Sequence, residues 1–307
     1  MEIITDIDSV RVIPTAATIG SYDGVHRGHV AMIKEIREKA AMRGLPLTVI
    51  TFLKHPRIVF GAECEPFLLT TNDEKMLLLE QLGVERCVLL SFDSLMASMS
   101  AERFMNEVLK EKLGVAMLAV GYDHHFGCPQ EGEGLEQYIA YGEKAGIEVV
   151  GIGQYAPDGC KISSSAVRRA LAAGEPDIVR SLLGRPYTLD GTVMHGAALG
   201  RQIGFPTANI MPSEAMKMLP RDGVYEVAVT VAGNRYKGVM NIGVKPTLQG
   251  VDLRTLEVHI LDFSENIYNH RILVSFIRRL RDEIPFACID DLRLQIGVDV
   301  ARVKRGI

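Results

Sequence analysis

Positive charge is not in excess in this chain: 34 lysines and arginines stand against 38 aspartates and glutamates, a formal net charge of −4. That balance lacks the electrostatic footprint of a nucleic-acid binder. Cysteine is sparse and scattered. The five, Cys64, Cys87, Cys128, Cys160 and Cys288, are odd in number and form no Cys-x-x-Cys pair. A disulfide framework or a zinc site is therefore not expected, and a cytoplasmic location is. No apolar run approaches the roughly 20 residues needed to cross a bilayer, so no membrane partner is expected either. The amino terminus, Met1-Glu-Ile-Ile-Thr-Asp-Ile-Asp8, is acidic and lacks the basic flank of a signal peptide.

What is present is an ordinary globular balance, 47% hydrophobic and 23% charged over 307 residues. At roughly 150 residues per domain, this length suggests two domains, each able to bury a core without metal or disulfides. In the first half, short apolar runs alternate with amphipathic helices. Thr15–Ile19 and Leu47–Phe52 read as buried strands, and Cys87–Leu90, Ala116–Val120 and Ile147–Val150 repeat the pattern. Helices are expected from near His29 to Gly44, over Asp73–Leu82 behind a Thr71/Glu74 capping box, after Ser100, and over about Leu135–Ala145. Such alternation predicts right-handed crossovers and a doubly wound, Rossmann-like parallel sheet with ligands at the carboxyl ends of its strands.

One such end carries Thr18-Ile-Gly-Ser-Tyr-Asp-Gly-Val-His-Arg-Gly-His29. A strand turning through glycines onto a helix start offers unpaired N–H groups and the positive end of the helix dipole. His26 and His29 add donors to the same anion-binding spot. Two further stretches follow strands, Thr51-Phe-Leu-Lys-His-Pro56 and Gly121-Tyr-Asp-His-His-Phe-Gly127. Ile162-Ser-Ser-Ser-Ala-Val-Arg-Arg169 suits phosphate binding, although this segment alone reads rather as an ordinary Ser N-cap with solvated arginines.

Together these segments resemble the nucleotidyltransferases that activate metabolites with ATP. More narrowly, they are similar to the FMN adenylyltransferase half of the prokaryotic bifunctional FAD synthetases.

Beyond Leu182-Leu-Gly184 the period changes. Tyr225, Val227, Val229 and Val231 alternate with polar or small residues, Gly233-Asn234 reads as a hairpin turn, and Tyr236–Ile242, Leu256–Leu261 and Arg271–Ile277 read as strands. A small antiparallel β-barrel is expected, followed by a terminal helix from about Ile289 that buries Leu292, Ile296 and Val303. Ahead of these strands stands Gly196-Ala-Ala-Leu-Gly-Arg-Gln-Ile-Gly-Phe-Pro-Thr-Ala-Asn-Ile210. Its glycines allow close approach to phosphate, and Thr207 and Asn209 offer oxygens to a magnesium ion. There is no Walker lysine, and glycine content alone would read as a mobile loop. The Gly-Arg-x-x-Gly-Phe-Pro-Thr-Ala-Asn segment nevertheless closely resembles the riboflavin kinase signature. The likeness continues through Gly223-Val-Tyr225, Asn241–Thr247, Glu257-Val-His259, Leu280–Phe286 and the Leu292, Gln295-Ile296, Asp299 pattern.

The resemblance implies residues 1–183 as an FMN adenylyltransferase domain and 184–307 as a riboflavin kinase domain. The chain would phosphorylate riboflavin to FMN, then adenylylate FMN to FAD with release of pyrophosphate, using ATP twice and Mg²⁺. It implies Glu257 as the kinase base, and Gly196, Gly200, Arg201, Gly204, Pro206, Thr207 and Asn209 around that ATP. Thr207 and Asn209 would be the metal ligands, and Arg281 and Glu283 would lie against the flavin. In the other half, Gly20, Tyr22, Asp23, Gly24, His26, His29, Ser164 and Arg168 fall on ATP, with His26 and His29 catalytic. His55, Pro56, Asp123 and Phe126 fall on FMN. His195 and His270 read as plain loop residues. The chain departs from the family pattern at His124-His125, at Leu53-Lys54, at Ser165 for Thr, and at Tyr268-Asn269 for Tyr-Gly. Asn is the next best residue where φ must be positive. Partners are expected to be small molecules only, with the chain a monomer or weak homo-oligomer. Two other readings are a riboflavin kinase alone and a non-catalytic flavin-binding regulator. The joint presence of Glu257, Thr207, Asn209, His26 and His29 argues against the latter.

Overall fold

The computed structural model describes residues 1–59, 61, 65–91, 94–121, 126–127, 134–159, 161–196, 199–246 and 252–306. The chain forms two compact units, Met1–Glu65 with Thr70–Ser164, and Pro66–Leu69 with Ser165–Ile307.

In the first unit, β1 (Glu2–Ile4), β2 (Thr15–Ile19), β3 (Leu47–Phe52), β4 (Arg86–Leu90), β5 (Val115–Gly121) and β6 (Glu148–Ile152) build one sheet in the order β1-β4-β3-β2-β5-β6. Every pairing is parallel. β2 is buried along its whole length and β3 along nearly all of it, which is why both read as unbroken apolar or β-branched runs. The three-residue β1 is too short to carry a period and was not expected. It is pinned to β4 by the buried Arg86, whose Nε donates to Glu2 Oε2 at 2.8 Å.

The helix Arg27–Met42 turns Ile33, Ile36 and Ala40 inward and is followed by Gly44 at φ +63°. It starts two residues before the expected His29, with His26 as its N-cap. The expected capping box opens the helix Asn72–Gln81. The helical run after Ser100 takes π geometry over Phe104–Lys112, with Phe104, Met105, Val108 and Leu109 buried. From β2 the chain moves to β3 on one side, and later returns to β5 on the other. The carboxyl ends of β2 and β5 therefore flank the switch point where such sheets take ligands.

In the second unit, β7 (Tyr187–Met194), β8 (Ala208–Pro212), β9 (Gly223–Val231), β10 (Asn234–Pro246), β11 (Asp252–Ile260) and β12 (Arg271–Arg281) close a barrel in the order β10-β11-β8-β7-β12-β9. All its pairings are antiparallel. Its core joins Leu189, Val227, Val229, Met240, Val258 and Phe276 to Val167, Leu171 and Val179 from the preceding helices.

β7 and β8 were not expected as strands. Asp190-Gly191 lies mid-strand in β7, and glycine is needed there because a Cβ at 191 would stand 2.6 Å from Ile210 Cγ2. β8 begins inside the glycine-rich motif, at Ala208. The terminal helix Ile289–Arg305 buries Val303, whereas Leu292 and Ile296 are only half-buried and line a cavity.

The β9–β10 turn is Ala232-Gly233 instead of the expected Gly233-Asn234, since Asn234 already pairs with Val231. Both turn residues have positive φ, +47° and +83°, the two-residue loop that matches strand twist. An alanine there carries a cost of roughly 1 kcal/mol that asparagine largely escapes. Ala232→Asn is expected to raise the unfolding free energy by about 0.5 kcal/mol, read as a higher midpoint in urea. A lowered midpoint would show that the turn carries no such strain.

Candidate functional site

In the first unit the site is the turn Gly20–Val25 and the helix start behind it. Tyr22 and Val25 take φ of +48° and +39°, and Gly24 takes +85°. Non-glycine residues persist there only when their surroundings hold them. Tyr22 is buried, and its hydroxyl shares a 2.8 Å hydrogen bond with Thr18 Oγ1. Asp23 Oδ1 accepts from Thr70 N at 3.0 Å and from Thr70 Oγ1 at 3.3 Å. Gly24 N donates to Thr70 Oγ1 at 3.0 Å, and Ser164 Oγ donates to the Asp23 carbonyl at 2.8 Å.

His26 caps the helix by accepting from His29 N at Nδ1, at 3.3 Å. The proton of the neutral His26 ring is therefore on Nε2. The His26 and His29 rings stack at 3.7 Å and 13°, with Tyr22 5.0 Å from His29. A Cβ on Gly28 would come within 3.1 Å of the His26 ring, so glycine there gives that ring its place. Cys87, on β4, is buried with its thiol pushed up to about 12 by burial, too high for a nucleophilic role.

The other expected residues of this half are placed differently. His55 accepts from Arg57 N at Nδ1, and Pro56 opens the short helix Pro56–Val59 after β3. Phe126 is buried, stacked on Tyr138 at 4.5 Å and tilted against Phe104. Its ring packs in the core of the unit. Asp123, His124 and His125 lie outside the described residues. Arg168 donates from Nε to the Phe67 carbonyl at 2.9 Å, with its guanidinium over the Phe67 ring.

In the second unit, strand register assembles the site. Glu257 on β11 pairs with Asn209 on β8 and with Asn241 on β10. Thr207 Oγ1 lies 3.5 Å from Glu257 Oε2. These residues edge a cavity of about 310 Å³. Across it, Asn241 Nδ2 donates to Glu283 Oε1 at 2.9 Å. Arg281 donates from Nε and Nη2 to Oδ2 of the buried Asp299 at 2.9 and 2.8 Å, while Gln295 holds the other oxygen. Phe286, Leu292 and Ile296 supply apolar wall.

A second cavity of about 360 Å³ shares Thr207 and is lined by Arg201, Pro206, Phe263, Asn266 and Tyr268. His259 Nδ1 meets the Pro206 carbonyl at 2.8 Å, tying the motif to β11. A Cβ on Gly196 would fall 2.1 Å from Asn209 Nδ2, and one on Gly200 would fall 2.3 Å from the Phe205 carbonyl. Gly204 has φ +86°. Gly196 and Gly200 are thus required by close packing within the motif itself, and Gly204 by its positive φ, since a Cβ there would meet open space.

His195, read as a plain loop residue, stacks on Tyr268 at 3.8 Å. Asn269 does take the positive φ, +63°, that its family position calls for. Thr70 and Lys75 under the first turn are not singled out by the sequence, and Thr51 enters only as the first residue of the Thr51–Pro56 stretch. For Lys75 the available signal was a charged residue on the inward face of a helix, beside Met76 and Leu79. Among the described residues no group of three or more His, Cys, Asp or Glu could hold a metal ion, and no helix is long and apolar enough to cross a membrane.

Comparison with known proteins covers both units. Residues 10–166 match the FAD synthetase family and residues 183–307 the riboflavin kinase family. The bifunctional riboflavin kinase/FMN adenylyltransferase of Pseudomonas fluorescens is 40% identical over 288 residues, covering 94% of this chain and 91% of the relative. That of Haemophilus influenzae is 38% identical, covering 94% and 93%. A crystal structure described as a macrolide-efflux protein from Streptococcus pneumoniae superposes with a TM-score of 0.88 at 29% identity, covering 98% of each chain. With both family matches in one chain and relatives of that name aligned along nearly its whole length, the protein belongs to the bifunctional riboflavin kinase/FMN adenylyltransferase family.

Proposed function

We infer that this chain makes FAD in two steps, phosphorylating riboflavin to FMN with one ATP and adenylylating FMN with a second. The observation that carries the reading is the pairing of Glu257 with Asn209 beside Thr207, in a chain that also holds the stacked His26–His29 helix start. Residues 184–307 are assigned the kinase step and residues 1–183 the adenylyl transfer. The substrates are small molecules, the setting is cytoplasmic, and the chain works as a monomer or weak homo-oligomer.

In the kinase step the nucleophile is a neutral hydroxyl, which must lose its proton as it attacks. Glu257 takes that proton while its carboxylate is oriented by the Thr207 hydroxyl. The cavity edged by Glu283, Arg281 and Phe286 suits the flavin ring, with apolar wall for its faces and the Asn241–Glu283 pair for its polar edge. The neighbouring cavity, with Arg201 and the motif glycines, takes the nucleotide, and Thr207 stands where the two meet. Thr207 and Asn209 on the rim of the cavity offer hard oxygens that fit Mg²⁺, which leaves the Glu257 carboxylate for the proton. Bound there with ATP, the ion supplies charge neutralisation on the phosphate oxygens.

In the second step FMN phosphate attacks the α-phosphorus of ATP and pyrophosphate leaves, with no covalent enzyme intermediate. His26, with its Nε2 proton, and His29 bind phosphate oxygens at the helix start, and Ser164 closes the turn through Asp23. Asp23 is tied to Thr70 and so orients the turn.

Incubating the pure chain with riboflavin, ATP and Mg²⁺ is expected to yield FAD by chromatography. FMN alone would leave a kinase only, and neither product would refute the reading. Glu257→Ala is expected to cut FMN formation by roughly 10²- to 10⁴-fold while leaving FAD formation from supplied FMN intact. Equal loss of both would refute separate sites. Gly196→Ala should likewise impair riboflavin phosphorylation selectively, because its Cβ displaces Asn209. Unchanged kinase kinetics in that variant would show that the motif tolerates the shift.

A further inference from the structure

Beneath the turn that follows β2 lies a buried cation with no part in the chemistry described above. Lys75, in the helix Asn72–Gln81, is 6% exposed. Its helical neighbours on the inward face, Met76 and Leu79, are apolar, as packing alone would require. Removing an ammonium from water is costly unless partners replace the lost solvation. Lys75 Nζ donates to the Ser21 carbonyl and to Thr51 Oγ1, each at 3.2 Å. Thr51 Oγ1 itself donates to the same Ser21 carbonyl at 3.1 Å. Ser21 directly precedes Tyr22, the first of the three positive-φ residues. Burial pushes the Lys75 ammonium below its ordinary value, and the nearby Asp23 carboxylate opposes that shift. The cation and the carboxylate thus bracket the turn, one holding Ser21 and the other held by Thr70.

We propose that Lys75 is a positioning residue for adenylyl transfer. Its ammonium fixes the Ser21 carbonyl and so holds the strained turn Tyr22–Val25, from which His26 and His29 project, in the shape that receives the triphosphate. The inference rests on the adenylyl-transfer reading of the first unit. A core residue kept only for packing would be replaceable by an apolar side chain of similar length. A positioning cation is not replaceable in this way, and a misplacement of about 1 Å in such a site can cost roughly 10²-fold in rate.

Lys75→Met separates these roles, because the kinase step in the same molecule reports whether the chain is intact. FAD formation from FMN and ATP is expected to lose about 10- to 100-fold in kcat/KM, with the loss in kcat exceeding the rise in KM for ATP. Riboflavin phosphorylation should stay within about twofold, and the melting temperature should hold or rise, since a buried charge has been removed. Lys75→Arg, which keeps a donor, should recover part of the lost rate. FAD formation unchanged in Lys75→Met would overturn the proposal, as would a parallel fall of both activities with a lowered melting temperature. If the Met variant fails to fold, Thr51→Val decides. It removes the second donor to Ser21 and should lower FAD formation at least about fivefold with riboflavin phosphorylation retained. Unchanged FAD formation there overturns the proposal. A wild-type chain that makes FMN but no FAD removes the adenylyl-transfer reading, and this inference with it.

Discussion

The turn between β2 and the helix Arg27–Met42 is held against its own backbone preference. Tyr22 and Val25 lie in the left-handed region, at a cost of about 1–3 kcal/mol each, and a β-branched residue such as Val25 is among the least suited to it. Polar contacts from five residues outside the turn offset that cost. Thr18 takes the Tyr22 hydroxyl, Thr51 and Lys75 take the Ser21 carbonyl, Thr70 takes Asp23 and Gly24, and Ser164 takes the Asp23 carbonyl. The central sheet provides the rigid floor: Gly20 N is bonded to the Ile50 carbonyl at 3.0 Å. The His26–His29 stack is thus set by the sheet and its neighbours, and a helix start that would otherwise fray becomes a fixed pair of donors.

The second unit fixes its site by a different constraint, the register of a closed barrel. β10, β11 and β8 are neighbours, so the face that carries Glu257 also carries Asn241 and Asn209 on either side. A slip of one residue would turn all three to the opposite face, and closure of the barrel leaves no free edge at which to slip. Close backbone approach completes the cluster. A Cβ on Gly243 would overlap Glu283 Oε1 at 1.9 Å, so glycine on β10 lets Glu283 reach Asn241. The terminal helix enters the same arrangement through Asp299, which is fully buried yet shares Oδ2 with two donors of Arg281.

Much of this was legible in the residues, and the gaps have physical causes. The inner strands β2 and β3 are covered on both faces, so their apolar runs announce themselves, and the Thr71–Glu74 capping box sits where its spacing puts it. The His26 and His29 pair was legible from local spacing. The capture of Asp23 by Thr70 was not, because the two are brought together only by the fold. β7 is not legible in its own residues because the demand for glycine at 191 comes from Ile210 on a neighbouring strand. Leu292 and Ile296 have the periodicity of core residues, and periodicity does not distinguish a packed core from the wall of a cavity. Phe126, in a segment that reads as ligand-facing, stacks on Tyr138 within the core of the unit.

The two sites differ as their proposed reactions demand. A phosphate monoester is already an anion at neutral pH, so adenylyl transfer needs no proton acceptor. It needs fixed donors that do not reorganise as charge shifts toward pyrophosphate. The first site matches that description. Its one buried carboxylate at the turn, Asp23, accepts two bonds from Thr70 and serves the backbone. A flavin hydroxyl is neutral and must be deprotonated as it attacks, so the second site needs a carboxylate facing a cavity. Glu257 is such a group, held in register by two asparagine-bearing strands and touched by the Thr207 hydroxyl. The demand for a base in one half and its absence in the other therefore follow from the charge of the nucleophile each half receives.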